Sequence, residues 1–348
     1  MSSNNFMDYL QSLKKPWKFL APMVGNSEEP YRMLSRKYGA DVCYTEMVNC
    51  KVFNRNNCNP VMNQWYTTSK DDRPLVIQIC GDNPADMLQT CLSIQQYCDA
   101  IDINFGCPQD VAKKGHYGSF LQDEWDLIRK IVQTCSSGIA IPLFCKIRVF
   151  ESIEKTVEYA KIFEEAGASL LAVHGRTREQ KGSNTGLASW DHIKAIKQAL
   201  SIPIVANGNL IYHENIDCCH KYTGCDGVMI GEPHLFNPAI FMDGRISSVQ
   251  AFRDYLSILD SIERCDDPEK LYIPGMKHHV SLGSIKSHAF KMFNSVFKKC
   301  PEKRELLDKC KKLSDYHKFI EDVSNNLELC QEDFEMHPYI RQHAQADG

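Results

Sequence analysis

The chain has 348 residues, 43% apolar and 24% charged, with a formal net charge of −4. That length suits one large barrel, or a barrel plus a small second domain, and the apolar share can fill its core. There is no run of about 18 apolar residues to cross a membrane, and the 16 cysteines contain no C-x-x-C pair of the kind that holds zinc.

Met1 to Leu20 is polar and lacks an apolar h-region, so secretion is not expected. Many cysteines without a secretory signal point to reduced thiols in the cytoplasm or nucleus. Phe19-Leu-Ala-Pro-Met23 is a brief apolar strand ending at a proline. Asn26 or Ser27 can then cap a helix that runs through Tyr31–Tyr38 and stops at Gly39. Strands are predicted at Val42–Met47, Leu75–Cys80, Ala100–Phe105, Leu143–Val149, Leu170–His174, Ile204–Asn207 and Gly227–Gly231. Helices are predicted between them at Ala85–Tyr97, Asp123–Cys135, Thr156–Ala166, Trp190–Leu200 and Glu214–Tyr222.

Apolar strands alternating with helices over about 240 residues predict an α/β fold, a (β/α)8 TIM barrel. An open doubly wound sheet shares the alternation, but no G-x-G-x-x-G turn follows the first strand. The barrel is expected over 1–247. Helices at Ala251–Glu263, Ser284–Lys299 and Lys303–Leu327, with a loop around Ile273–Gly275, then form a smaller all-helical domain over 248–330. Between Lys286 and Lys318 that region holds ten basic residues against four acidic ones. Such a run is a solvated face or a docking surface for phosphates. Residues 331–348 form a polar tail.

The strand ends carry the chemistry. Pro22 and Met23, Gln78, Asn104 and Cys107, Lys146 and Arg148, His174-Gly-Arg176, Asn207-Gly-Asn209, and Gly231 with Glu232 all fall at carboxyl ends of predicted strands. Gly115 and Gly118 keep the loop after Cys107 close-fitting, with Lys113, Lys114 and His116 as its polar side chains. One polar strand end is commonplace, but six converging on one barrel mouth form a pocket for a polyfunctional ligand. Lys146 could hold the anionic reduced form of a flavin, Gln78 can both donate to and accept from a pyrimidine edge, and Met23 offers a soft contact. The glycine-containing loops after the last two strands suit a phosphate, so FMN fits. A sugar-phosphate or pyridoxal-phosphate barrel leaves Gln78 idle. Cys107, in a Gly-Cys-Pro turn, could be a nucleophile, a metal ligand or a proton donor. Cys43, Cys50, Cys58, Cys218, Cys219 and Cys225 read as structural, and His278 and His279 as surface residues.

Ala21-Pro-Met23, Gln78-Ile-Cys-Gly81, Asp102-Ile-Asn-Phe-Gly-Cys-Pro-Gln109, Lys146-Ile-Arg148, His174-Gly-Arg-Thr177 and Asn207-Gly-Asn209 occur in unbroken order. Together they resemble the tRNA-dihydrouridine synthase family over about Phe19 to Ile240. Pro22–Glu28, Arg32–Gly39 and Lys114–Gln122 resemble in particular its eukaryotic branch acting on D-loop uridines 16 and 17. The C-terminal helices, with His288-Ala-Phe-Lys-Met-Phe293, look like the family's tRNA-recruiting bundle.

The resemblance implies an FMN enzyme that takes hydride from NADPH and passes it to C6 of uracil in tRNA. Cys107 would protonate C5, and a thiol with an ordinary pKa near 8.5 can do so at neutral pH. Pro22, Met23, Gln78, Lys146, His174, Asn207, Gly208, Asn209, Gly231 and Glu232 would be FMN neighbours. Asn104 and Arg148 would face the uracil, while Lys113 and Lys114 would meet RNA phosphates. Two positions depart from the commoner bacterial pattern: Asn209 stands for an Asp and Glu232 for an Arg. The second leaves backbone amides with Lys146 or His174 to hold the phosphate end. No metal and no membrane partner are implied, and a monomer is expected. The alternatives are a small-molecule flavin reductase of the dihydroorotate or dihydropyrimidine kind, or a non-catalytic RNA-binding protein on the same barrel.

Overall fold

A computed structural model describes residues 3–55, 68–182, 185–263 and 280–325. Cys58, the loop at 273–275, His278, His279 and the tail 331–348 lie outside the described residues. The strands are β1 (Trp17–Leu20), β2 (Val42–Tyr44), β3 (Val48–Asn49), β4 (Leu75–Cys80), β5 (Ala100–Phe105), β6 (Leu143–Arg148), β7 (Leu170–His174), β8 (Ile204–Asn207) and β9 (Gly227–Ile230). Every pairing is parallel, running β1–β2–β4–β5–β6–β7–β8–β9 and back to β1. Eight strands therefore close a TIM barrel, and β3 adds two residues beside the carboxyl end of β4. The single strand expected over Val42–Met47 is broken after Tyr44. There the Thr45 hydroxyl accepts the Gln78 N–H at 3.2 Å, so a side chain replaces a ladder carbonyl.

Strand alternation explains the core. Ala100, Phe144, Leu170, Ala172, Val205 and Met229 face the barrel interior. Ile101, Ile103, Ile147 and Val173 face outward and pack with the surrounding helices. Continuing the inward series toward the carboxyl ends places Gln78, Asn104, Lys146, His174 and Asn207 at the upper rim. A helix at Ser3–Ser12, not anticipated from its polar sequence, plugs the lower end. Phe6 and Leu10, one turn apart, are fully buried, and the Phe6 ring lies 6.1 Å from that of Phe144.

The first rim helix is Glu29–Lys37 and begins at Glu28, not at Asn26 or Ser27. Ser27 Oγ instead accepts the Met23 N–H at 2.8 Å, bracing the loop after β1. The C-terminal helices are Ser248–Glu263, Leu282–Met292, Asn294–Lys299, Pro301–Asp308 and Leu313–Ser324. Two expected helices are thus each divided. Lys309–Lys312 forms a break because the Asp315 carboxylate accepts the N–H groups of Lys311 and Lys312 at 3.0 and 3.3 Å, starting a new helix.

These helices bury their apolar faces in the same cluster as the outer barrel. A buried polar group joins them to the rim. Glu28 Oε1 lies 2.7 Å from the Tyr255 hydroxyl and 2.8 Å from His288 Nε2. Burial alone would raise the Glu28 carboxyl, but His288 and Tyr255 outweigh it and hold it low. The Tyr31 ring stacks on His288 at 4.0 Å, and its hydroxyl meets His234 Nδ1 at 2.9 Å. Beside it, Asn26 Oδ1 accepts from Ser287 Oγ and Lys291 Nζ at 2.9 and 2.7 Å. Among the cysteines read as structural, Cys43, Cys50, Cys219 and Cys225 are buried, whereas Cys218 is exposed.

Candidate active site

A cavity of about 380 Å³ opens at the carboxyl ends of the strands. Ten of the expected residues line it: Pro22, Met23, Lys146, Arg148, His174, Asn207, Gly208, Asn209, Gly231 and Glu232. Gln78, Asn104 and Cys107 are not among the residues that line it; they form a hydrogen-bonded group of their own at the adjoining ends of β4 and β5. Asn104 Nδ2 donates to Gln78 Oε1 at 2.9 Å, and Asn104 Oδ1 accepts the N–H groups of Gly106 and Cys107 at 3.0 and 2.8 Å. Lys146 is the β6 residue paired across the ladder with Asn104.

Lys146 Nζ donates to Asn207 Oδ1 at 3.2 Å, and Asn207 Nδ2 donates to the Met229 carbonyl at 2.7 Å. Burial, reinforced by Arg148 two residues along the strand, lowers the Lys146 ammonium to about 8; Asp102 opposes that shift. Asp102, fully buried on the inward face of β5, is pushed up to about 7 by burial, against the pull of Gln78 and Lys146.

His174 Nε2 lies 3.0 Å from Arg176 Nη1, and Arg176 Nη2 donates to Asn209 Oδ1 at 3.1 Å. Asn209 also spans the Ala188 backbone, accepting its N–H at 3.0 Å and donating to its carbonyl at 2.8 Å. Gly208 makes this turn possible. Its φ is +113°, and a Cβ there would lie 2.6 Å from Ala188 Cβ and 3.1 Å from the His174 ring.

Arg148 reaches the cavity, but its guanidinium is buried and largely committed. Nε donates to the Gly106 carbonyl at 2.9 Å, and Nη1 to the Thr177 and Gln180 carbonyls at 2.7 and 3.1 Å. It braces the Cys107 loop against the loop after β7. Lys113 and Lys114 are exposed on the short helix Asp110–Gly115, outside the cavity. Lys113 instead borders a surface groove with Phe120, Arg178 and Lys181. Polar cavity-lining residues absent from the expected set are Gln109, Arg176 and Thr185, and the cavity is also lined by Ala21, Leu210, Ile211, Met229, Ile230 and Pro233. Arg176 was signalled by its place in His174-Gly-Arg176, and Asp102 by being a carboxylate at an inward strand position. Thr185 had no local signal.

A family model described as dihydrouridine synthase matches residues 19–330. The chain belongs to the dihydrouridine synthase family. It is 42% identical to a Mus musculus protein named tRNA-dihydrouridine(16/17) synthase-like, over 90% of this chain and 62% of that protein. It is 40% identical to tRNA-dihydrouridine(16/17) synthases of Schizosaccharomyces pombe and Saccharomyces cerevisiae, over 83% and 80% of this chain and 72% and 65% of theirs. The chain therefore spans about three-fifths to three-quarters of the length of these relatives. Among the described residues of this family member, no group of three or more His, Cys, Asp or Glu side chains could hold a metal. No described helix is long and apolar enough to cross a membrane.

The donor set of the cavity suits a flavin. An ammonium and an amide rim suit a pyrimidine edge, while a turn with no room for a Cβ at Gly208 suits close approach of a phosphate or ribityl chain. Arg176 lines the same cavity as Glu232.

Proposed function

We propose that this chain reduces uridines of the tRNA D-loop, at positions 16 and 17, to dihydrouridine, using FMN with NADPH as reductant. The observation that carries the reading is a cavity combining a partly buried ammonium with a glycine turn, next to a strand end where Asn104, the ladder partner of that lysine, holds the backbone N–H of Cys107. Lys146, Gln78, His174, Arg176, Asn207, Gly208, Asn209, Pro22, Met23 and Gly231 hold the flavin, with Glu232 at its margin. When bound, the flavin supplies hydride to C6 of the uracil.

Cys107 gives the proton to C5. Asn104 has one N–H left after its bond to Gln78, and this donor orients a uracil carbonyl. Arg148 keeps the thiol's loop in place through the Gly106 carbonyl. The base must leave its stack to reach the cavity, at a cost of a few kcal/mol. Stacking in the site and cationic contacts to phosphates offset that cost. Lys113 and Lys114, exposed outside the cavity, and the basic helices within 248–330 supply those contacts.

The test is direct. Unmodified tRNA incubated with the protein, FMN and NADPH should gain dihydrouridine at positions 16 and 17, with free uridine untouched. Turnover of free uridine at a comparable rate, or no dihydrouridine at either position, would defeat the reading.

A further inference from the structure

We propose that Asp102 is a positioning residue for Cys107, acting through Gln78 and Asn104 along one hydrogen-bonded chain. The inference rests on the reading of Cys107 as the reacting thiol. Asp102 Oδ2 accepts from Gln78 Nε2 at 2.8 Å, and Gln78 Oε1 accepts from Asn104 Nδ2 at 2.9 Å. Asn104 Oδ1 then accepts the N–H groups of Gly106 and Cys107 at 3.0 and 2.8 Å. The register lets this happen, because Gln78 and Asp102 are ladder partners and Asn104 lies two residues further along β5.

A primary amide can face either way, and its neighbours decide which. Oδ2 of Asp102 accepts, so Gln78 must turn its NH2 toward it. That choice leaves Oε1 for the NH2 of Asn104, and so leaves the Asn104 oxygen for the two loop N–H groups. Without the acceptor at 102, Gln78 is free to rotate. Asn104 then meets an NH2 with its own NH2 and rotates in turn, presenting donors to the donors of Gly106 and Cys107. The loop loses both bonds from Asn104 on the amino side of Cys107 and keeps there the bond from Arg148 Nε to the Gly106 carbonyl.

The carbonyl side is secured separately, since the N–H and Oγ of Ser119 donate to the Cys107 carbonyl at 3.1 and 3.0 Å. Of these contacts, the two that Asn104 makes on the amino side depend on Asp102. A purely structural account fits poorly, because a fully buried carboxyl inside the strand costs stability that an apolar side chain would not. Gln78 and Asn104 each keep one amide N–H beyond these bonds, so a group seated against them must bring acceptors.

The test uses the full chain without flavin, NADPH or RNA. Alkylation of Cys107 by iodoacetamide is followed by peptide mass spectrometry, with exposed Cys218 as the internal reference. Asp102→Leu should accelerate labelling of Cys107 about tenfold, the factor that loss of one hydrogen bond is worth. Asp102→Asn, which keeps an acceptor, should restore the wild-type rate, and Cys218 should be unchanged in both. Should Asp102→Leu fail to fold by circular dichroism, Gln78→Met breaks the same chain one link along and should show the same acceleration. A Cys107 rate at or below wild type in the folded variant, or equal acceleration in Asp102→Leu and Asp102→Asn, overturns the proposal. Because no turnover is measured, that result strikes the role of Asp102 and leaves the reading of Cys107 as proton donor standing.

Discussion

Replacing Lys146 by methionine should make the flavin-free protein more stable while removing its activity. The ammonium is lowered from 10.5 to about 8, and that shift corresponds to about 3 kcal/mol of folding free energy lost by carrying the charge at pH 7. Methionine matches the lysine stem in volume, so no cavity opens. Two effects reduce the gain. The side chain is only partly buried and touches the open cavity, so water recovers some of the charge's solvation. Losing the bond to Asn207 Oδ1 costs about 1 kcal/mol. The net expectation is a stabilisation of about 1 to 2 kcal/mol, read from urea midpoints of the flavin-free protein at pH 7. The pH dependence has a definite sign. Between pH 8 and 10.5 the folded state binds fewer protons than the unfolded one at this site, so wild-type stability rises with pH there and the advantage of the variant shrinks. A variant less stable than wild type at pH 7 would show that this ammonium is not an electrostatic cost, and that the cavity was not built around holding a charge.

Other outcomes follow from the same geometry. Cys107→Ala should keep bound FMN and its reduction by NADPH, yet lose uridine turnover by about 10²- to 10⁴-fold, measured in single-turnover assays. Gly208→Ala forces a side chain into a left-handed turn against Ala188, and should cost more than about 1 kcal/mol in thermal melts together with flavin retention. Reversing Lys298, Lys299, Lys311 and Lys312, all exposed, should weaken tRNA binding and flatten its salt dependence by up to about four phosphate contacts; an unchanged slope would exclude these helices as the docking surface.

Much of the barrel was legible because its strands alternate. Inward positions on β4 to β8 switch from apolar to polar toward their carboxyl ends, and that switch marks the rim without any knowledge of the fold. Ten of the cavity's residues could therefore be named from strand ends alone. What escaped was set by contacts distant in sequence. Among the described side chains of the Ser3–Ser12 helix, Phe6 and Leu10 are fully buried and Met7 and Tyr9 partly so, a stripe too thin to stand out in a polar segment. Arg148 looked like a ligand-facing cation, but its donors go to carbonyls 29 to 42 residues away, which no local pattern reports. Asp102 was hidden in plain view, since an acidic residue in an apolar strand shows its purpose only once its ladder partner is known to be Gln78.

The buried contacts of Glu28 and Asn26 bear on how relatives of this chain can be recombined. Both residues belong to the loop after β1, whereas His288, Ser287 and Lys291 belong to a helix some 260 positions later. A chimera that imports foreign C-terminal helices at residue 247 strands an anion in an apolar seam, and should accumulate as insoluble protein. Carrying residues 22–31 across with the helices transplants both halves of the lock, and the hybrid should stay in solution.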